Sequence, residues 1–182
     1  MTLNDAHEAQ MFIRAPGFNC HMNPERVSMF APTLLSFNVT GTRVCSLSRG
    51  WASNLLWSHY ADDHQGLAIG LSLPANLDRI QIFPVEYNDK LPELRPPIGR
   101  DGVLQALRYK SSEWQYEKET RLVTFDPECA YLSGVEILDV IFGLRTSEAD
   151  IALVRRVAGS SVRFWKVQYR PGEYALDVGD LP

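Results

Sequence analysis

The chain has 182 residues, of which 45% are hydrophobic and 22% charged, and a formal net charge of −4. That length predicts one domain with a real core, and the charge excludes a protein held to duplex DNA or to an acidic membrane surface by bulk positive charge. Three scattered cysteines, Cys20, Cys45 and Cys129, with no C-x-x-C pair, fit a reducing compartment better than a disulfide framework.

No apolar run reaches the roughly 18–20 residues needed to span a bilayer. The N-terminus lacks a basic stretch followed by an apolar one. The expectation is a cytoplasmic protein with no membrane partner. Arg155, Arg156, Arg163, Lys166 and Arg170 crowd towards the C-terminus and read as a solvated face.

Residues 1–40 are irregular, punctuated by Pro16, Gly17, Pro24 and Pro32, with a short helix expected from Pro24 to Ala31 behind Asn23 as cap. Residues 43–170 hold the expected core. Arg43 to Ser48 alternates as a strand with Val44, Ser46 and Ser48 on one face and Cys45 and Leu47 on the other. Asn54 to Gly66 reads as one short helix capped by Ser53 or Asn54 and stopped by Gly66 in the left-handed conformation. Strands follow at Leu67–Leu73, where Gly70 permits a close backbone approach, and at Ile80–Tyr87, bent at Pro84. A proline-rich loop over 90–99 leads into a helix from Asp101 to about Lys110. Glu117–Phe125 and Val135–Phe142 read as strands, the second ending at Gly143. Ser147–Ala158 reads as a capped helix whose buried stripe is Ile151, Val154, Val157 and Ala158, and Val162–Tyr169 as a closing strand. Strands outnumber helices and run in sequence, so the expected class is α+β, one domain over 1–182 with a mixed or antiparallel sheet and a few flanking helices.

Three groups of side chains carry chemistry. On a strand, Glu117, Glu119 and Arg121 share a face. Two carboxylates side by side raise one pKa, a mark of acid–base work, while Arg121 pulls the other way; the plainer reading is a salt-bridged strand entrance. His59 and His64, with Asp62 and Asp63 between them, suggest a metal-assisted nuclease or hydrolase. Their spacing opposes it: five helical residues advance about 500°, so the imidazoles diverge by roughly 140°, and no metal is expected. Cys45 reads as a buried thiol. No G-x-x-x-x-G-K or G-x-G-x-x-G is present.

The segments L-N-D at Leu3–Asp5, V-C-S-L-S at Val44–Ser48, L-L-W-S-H-Y-A-D-D-H-Q-G-L at Leu55–Leu67, W-Q-Y-E-K-E-T-R at Trp114–Arg121 and V-I-F-G at Val140–Gly143 lie in order over most of the chain. Together they resemble the bacterial domain-of-unknown-function 2971 family. Its layout is similar to that of ADP-ribosyltransferases, which split NAD at the nicotinamide bond and pass ADP-ribose to an acceptor. The resemblance implies an NAD-consuming domain, a toxin or phage-defence effector, with a partner that neutralises it and an acceptor that is a protein, a nucleic acid or a small molecule. It makes Ser46-Leu47-Ser48 the middle element and Glu117-Lys118-Glu119 the last. Glu119 would then stabilise the charge growing on the ribose, and Glu117 would orient the acceptor or take its proton. Ser46 and Ser48 would bind a ribose or hold Glu119. Trp57 and Tyr60 would stack on a nicotinamide or adenine ring, or else pack the core. His59 would orient the site, or else be a satisfied structural histidine, and Arg121 would line the cofactor site. Related sequences carry an aromatic-rich strand ahead of L-N-D that holds the first element. The sequence as given starts two residues before that motif, so the expected fold lacks the first strand. The alternative is a non-catalytic binding or interaction module on the same scaffold.

Overall fold

The computed structural model describes residues 12–13, 42–74, 77, 79–94, 99–126 and 134–181. The helix expected from Pro24 to Ala31, the L-N-D segment, Cys20 and Cys129 lie outside these residues. The class is α+β, with one antiparallel sheet, one mixed sheet and two short parallel pairs among the described residues. The chain divides into two compact units, Met1–Arg49 with Asp78–Ala130, and Gly50–Leu77 with Tyr131–Pro182.

The first unit is built on β8 (Glu119–Thr124), which pairs antiparallel with β2 (Arg43–Ser48) on one side and β4 (Gln81–Pro84) on the other. Its buried face is apolar in the middle: Val123 and Phe83, with Val44 beside them, meet Val103, Leu104 and Leu107 of helix α2 (Arg100–Arg108). The helix stops sooner than its apolar spacing suggests. Tyr109–Lys110 goes extended as β7 and pairs in parallel with β5 (Glu86–Tyr87). The bend expected at Pro84 is the break between β4 and β5, where Val85 N–H donates to the Glu119 carbonyl at 3.0 Å. Two short strands, β1 (Phe12–Ile13) and β6 (Glu93–Leu94), pair in parallel.

In the second unit the sheet order is β11 (Leu176–Asp180), β10 (Arg163–Tyr169), β9 (Glu136–Phe142), β3 (Leu67–Ser72). Strands β9 and β10 are parallel and joined by helix α3 (Glu148–Ala158), as a parallel pair requires a crossover. Phe142, Val140 and Val162 bury one side of this sheet against Ile151 of α3; Ile141, Val167 and Leu176 bury the other against Trp57 and Ala61. The expected stripe on α3 needs one correction, because Val157 is 73% exposed. It lies about 240° round the helix from Ile151, off the face that Val154 and Ala158 share. Ser147 caps α3, accepting from Asp150 N–H at 3.1 Å, and its own hydroxyl donates to the Asp150 carboxylate at 2.6 Å. Gly70 makes the close approach expected of it, since a Cβ there would lie 3.0 Å from that of Asp139.

A second correction falls on the 54–66 segment. Helix α1 covers only Asn54–Tyr60, capped by Ser53. The residues in left-handed conformation are Asp62, Asp63 and His64, at φ 46°, 52° and 68°, and not Gly66. Aspartate tolerates that region better than most side chains. The turn closes with His64 N–H on the Trp57 carbonyl at 3.1 Å and Gly66 N–H on the Ala61 carbonyl at 2.8 Å. It is then fixed from afar: Arg145 N–H donates to the His64 carbonyl at 2.9 Å, and Thr146 Oγ1 to the Gly66 carbonyl at 2.8 Å. Gly143 passes so close that a Cβ would run into the His64 carbonyl oxygen.

Candidate functional site

Four charged side chains in the first unit meet inside it: Lys110, Glu117, Glu119 and Arg121. Strand parity puts Glu119 and Arg121 on the same face of β8. Arg121 is 0% exposed and grips Glu119 with two donors, Nε to Oε1 at 2.7 Å and Nη2 to Oε2 at 3.2 Å. Its remaining Nη1 donates to the Leu107 carbonyl at 2.8 Å, at the C-terminal end of α2, where the helix dipole favours a cation. The Lys110 Nζ lies 2.8 Å from Glu117 Oε2, 3.5 Å from Glu119 Oε2 and 4.8 Å over the Trp114 ring. Two cations therefore face two anions, and the cluster carries no net charge.

Glu117 reaches this cluster by a route that strand parity does not predict. Residues Ser112–Glu117 form a 3-10 turn capped by Ser111, and Lys118 follows in the left-handed conformation, at φ 48° and ψ 46°. Glu117 is thus the end of the turn and Glu119 the start of β8, so the two are not strand neighbours on one face. They converge because both find the Lys110 ammonium. The reversal at Lys118 is held from three sides: Ser48 Oγ donates to the Glu117 carbonyl at 2.7 Å, Arg49 N–H to the Lys118 carbonyl at 3.1 Å, and Glu119 N–H to the Tyr87 hydroxyl at 2.7 Å.

The expected raised carboxylate is corrected as well. Burial pushes the Glu119 pKa up, but hydrogen bonding and charge from Arg121, a hydrogen bond from Ser46 and the charge of Lys110 outweigh it, so the carboxyl sits below its ordinary value. Burial raises the Tyr87 hydroxyl above its ordinary range, with the nearby carboxylates adding to it. Ser48 therefore holds the Glu117–Glu119 segment at a backbone carbonyl. Ser46 stands opposite Arg121 and Ser48 opposite Glu119 in the β2–β8 register.

Trp57, His59 and Tyr60 belong to the second unit. Trp57 is 3% exposed; its indole N–H donates to the Trp51 carbonyl at 2.7 Å, and its ring is stacked on His64 at 6.2 Å between centroids. That is core packing, the plainer of its two readings. Tyr60 is 47% exposed, with His59 edge-on to it at 6.2 Å. His64 thus turns onto Trp57 while His59 meets Tyr60, and among the described residues no three of His, Cys, Asp and Glu gather where a metal ion would sit. Cys45 is exposed rather than buried. Of the C-terminal basic residues, Arg163 pairs with Asp139, Lys166 with Glu148 and Arg170 with Glu173, while Arg155 lies over the Phe164 ring.

Lys110, Tyr87 and Trp114 carry the cluster, yet none of them stands out as a site residue in the sequence. Lys110 reads there as the last residue of a helix; only its step out of that helix into β7 turns it inward. Searches among protein-family models, curated proteins and solved structures find no match to this chain. No helix among the described residues is long and apolar enough to cross a membrane.

Proposed function

We propose that the chain is a non-catalytic binding module on an ADP-ribosyltransferase-like scaffold, resident in the cytoplasm. One observation carries this reading: the Glu119 carboxylate is 4% exposed and both its oxygens are taken by Arg121 and Lys110. A carboxylate that stabilises a ribosyl cation must present its charge to that cation in an open cleft. Here the charge is spent within the protein, and the Arg121 guanidinium opposes any further cation nearby. A buried, neutral, fully paired cluster is what a structural ion network looks like.

A second reading, the NAD-consuming transferase, is favoured by the Ser46 hydroxyl. Ser46 is an exposed residue, stands opposite Arg121 in the β2–β8 register and helps to hold the Glu119 carboxyl below its ordinary value, so a surface hydroxyl acts on the carboxylate. On that reading Glu119 is catalytic, Glu117 serves the acceptor, NAD is the substrate, and the acceptor is a protein, nucleic acid or small molecule.

Nicotinamide release from NAD separates the two. The binding-module reading expects no release above background, and an Glu119→Gln variant with a markedly lower urea midpoint. Release that Glu119→Gln abolishes while leaving the midpoint in place would establish the transferase instead.

A further inference from the structure

Trp114 and Tyr116 stand half-buried in the 3-10 turn above the ionic cluster, ring centroids 5.9 Å apart and planes tilted by 37°. Two residues on, Lys118 is exposed, and its carbonyl accepts from Arg49 twice, from N–H at 3.1 Å and from Nε at 3.3 Å. Arg49 is exposed as well, and among the described residues neither cation has a carboxylate within ion-pair distance. The one acidic side chain of the turn on the solvent side is Glu113. Among the described residues the Lys110–Glu117–Glu119–Arg121 charges beneath the rings cancel, which leaves Arg49 and Lys118 against Glu113.

We infer that this surface takes a nucleotide, with the base on Trp114 and Tyr116 and a phosphate at Arg49 and Lys118. An aromatic platform accepts any base through its π-face, and neighbouring cations hold the backbone phosphate; this pairing recurs in proteins that bind nucleotides without reading sequence. The cations lie next to the rings in the chain: Lys118 follows Tyr116 by two residues, and the Arg49 guanidinium is held at the Lys118 carbonyl at 3.3 Å. The left-handed Lys118 and the two Arg49 bonds hold the cationic end in place before any ligand arrives, which lowers the ordering cost of binding. The chain's negative net charge is no obstacle, because the attraction is local. This inference rests on the binding-module reading, whose own test, nicotinamide release, is scored separately from the affinities below.

The test is a titration of the intact chain with NAD and, in a second arm, with a twelve-nucleotide oligodeoxythymidine, followed by calorimetry at low and moderate salt. Binding to either probe, weakened about tenfold or more by Trp114→Leu and by the double variant Arg49→Ala/Lys118→Ala, is the expected result. The probe that binds names the source of the nucleotide. The double variant also flattens the dependence of affinity on salt, whereas Trp114→Leu leaves that slope in place. Because Trp114 covers Lys110, its variant is scored only where the thermal midpoint is kept. The double variant alters exposed side chains and carries the test alone if it is not. No binding of either probe at millimolar concentration, or affinities indifferent to the double variant, overturns the inference.

Discussion

Arg121 ties Glu119 to Leu107: one guanidinium holds the carboxylate at the start of β8 with Nε and Nη2, and the last turn of α2 with Nη1 at 2.8 Å. It is the joint between helix and strand in the first unit. Replacing Arg121 with Met leaves a buried carboxylate whose nearest remaining cation among the described residues is Lys110, at 3.5 Å, and a helix-end carbonyl unmet. Loss of one member of a buried pair costs about 3–5 kcal/mol, so urea unfolding of Arg121→Met should shift by that order. Adding Glu119→Leu in the same chain should recover part of the loss.

The acid limb of stability follows from Glu119. Its folded pKa lies below the ordinary value of 4.5, so in the pH range between the two the unfolded chain binds the proton first. The stabilisation is complete above the unfolded value and declines as pH falls through the folded one. Urea midpoints measured from pH 7 down to 3 should drop, and Glu119→Gln should flatten that drop while lowering the plateau.

Tyr87 sets the opposite limb. Its folded pKa is raised above 10.0, so above that pH the unfolded chain ionises while the folded chain resists, and stability falls as pH rises. Tyr87→Phe should lessen this alkaline decline, leaving the share of Tyr116, whose hydroxyl burial also raises, at a cost of about 1–3 kcal/mol near neutrality for leaving the Glu119 N–H without its acceptor.

Gly143 faces the His64 carbonyl with no room for a methyl group. Gly143→Ala must push apart two backbones that also share the Gly143 N–H to Gly66 carbonyl bond at 3.0 Å. Overpacking of this kind costs about 1–3 kcal/mol. The thermal midpoint should fall, with the near-ultraviolet signal of Trp57 changing in step because His64 is stacked on it.

Much of the scaffold was legible because period and capping are local. β2, β3, β9, β10, α2 and α3 follow from alternation, from 3.6-residue spacing and from Ser147. β11 was missed because Asp177, Gly179 and Asp180 mask its Leu176 and Val178, whose burial is supplied by β10 and Trp57. The 54–66 helix ends early because the pull on Gly66 and His64 comes from residues 143–146, some 80 positions away, and no local signal reports it. At the candidate site, the shared face of Ser46 and Ser48 and that of Glu119 and Arg121 were readable from parity, but the pairing of β2 with β8 that sets them side by side was not. The role of Lys110 was not, since a lysine becomes a buried counterion only once Glu117 and Glu119 are brought to it.

Each unit is assembled from two separated stretches of chain, with residues 78–130 lying between the pieces of the second. Among the described residues strand β3 pairs with β9 alone, so during synthesis it leaves the ribosome well before that partner exists. The second unit therefore completes its sheet late and slowly, as pairings distant in sequence do. The apolar residues of β3 wait without that partner in the meantime, the kind of exposure that favours association of newly made chains.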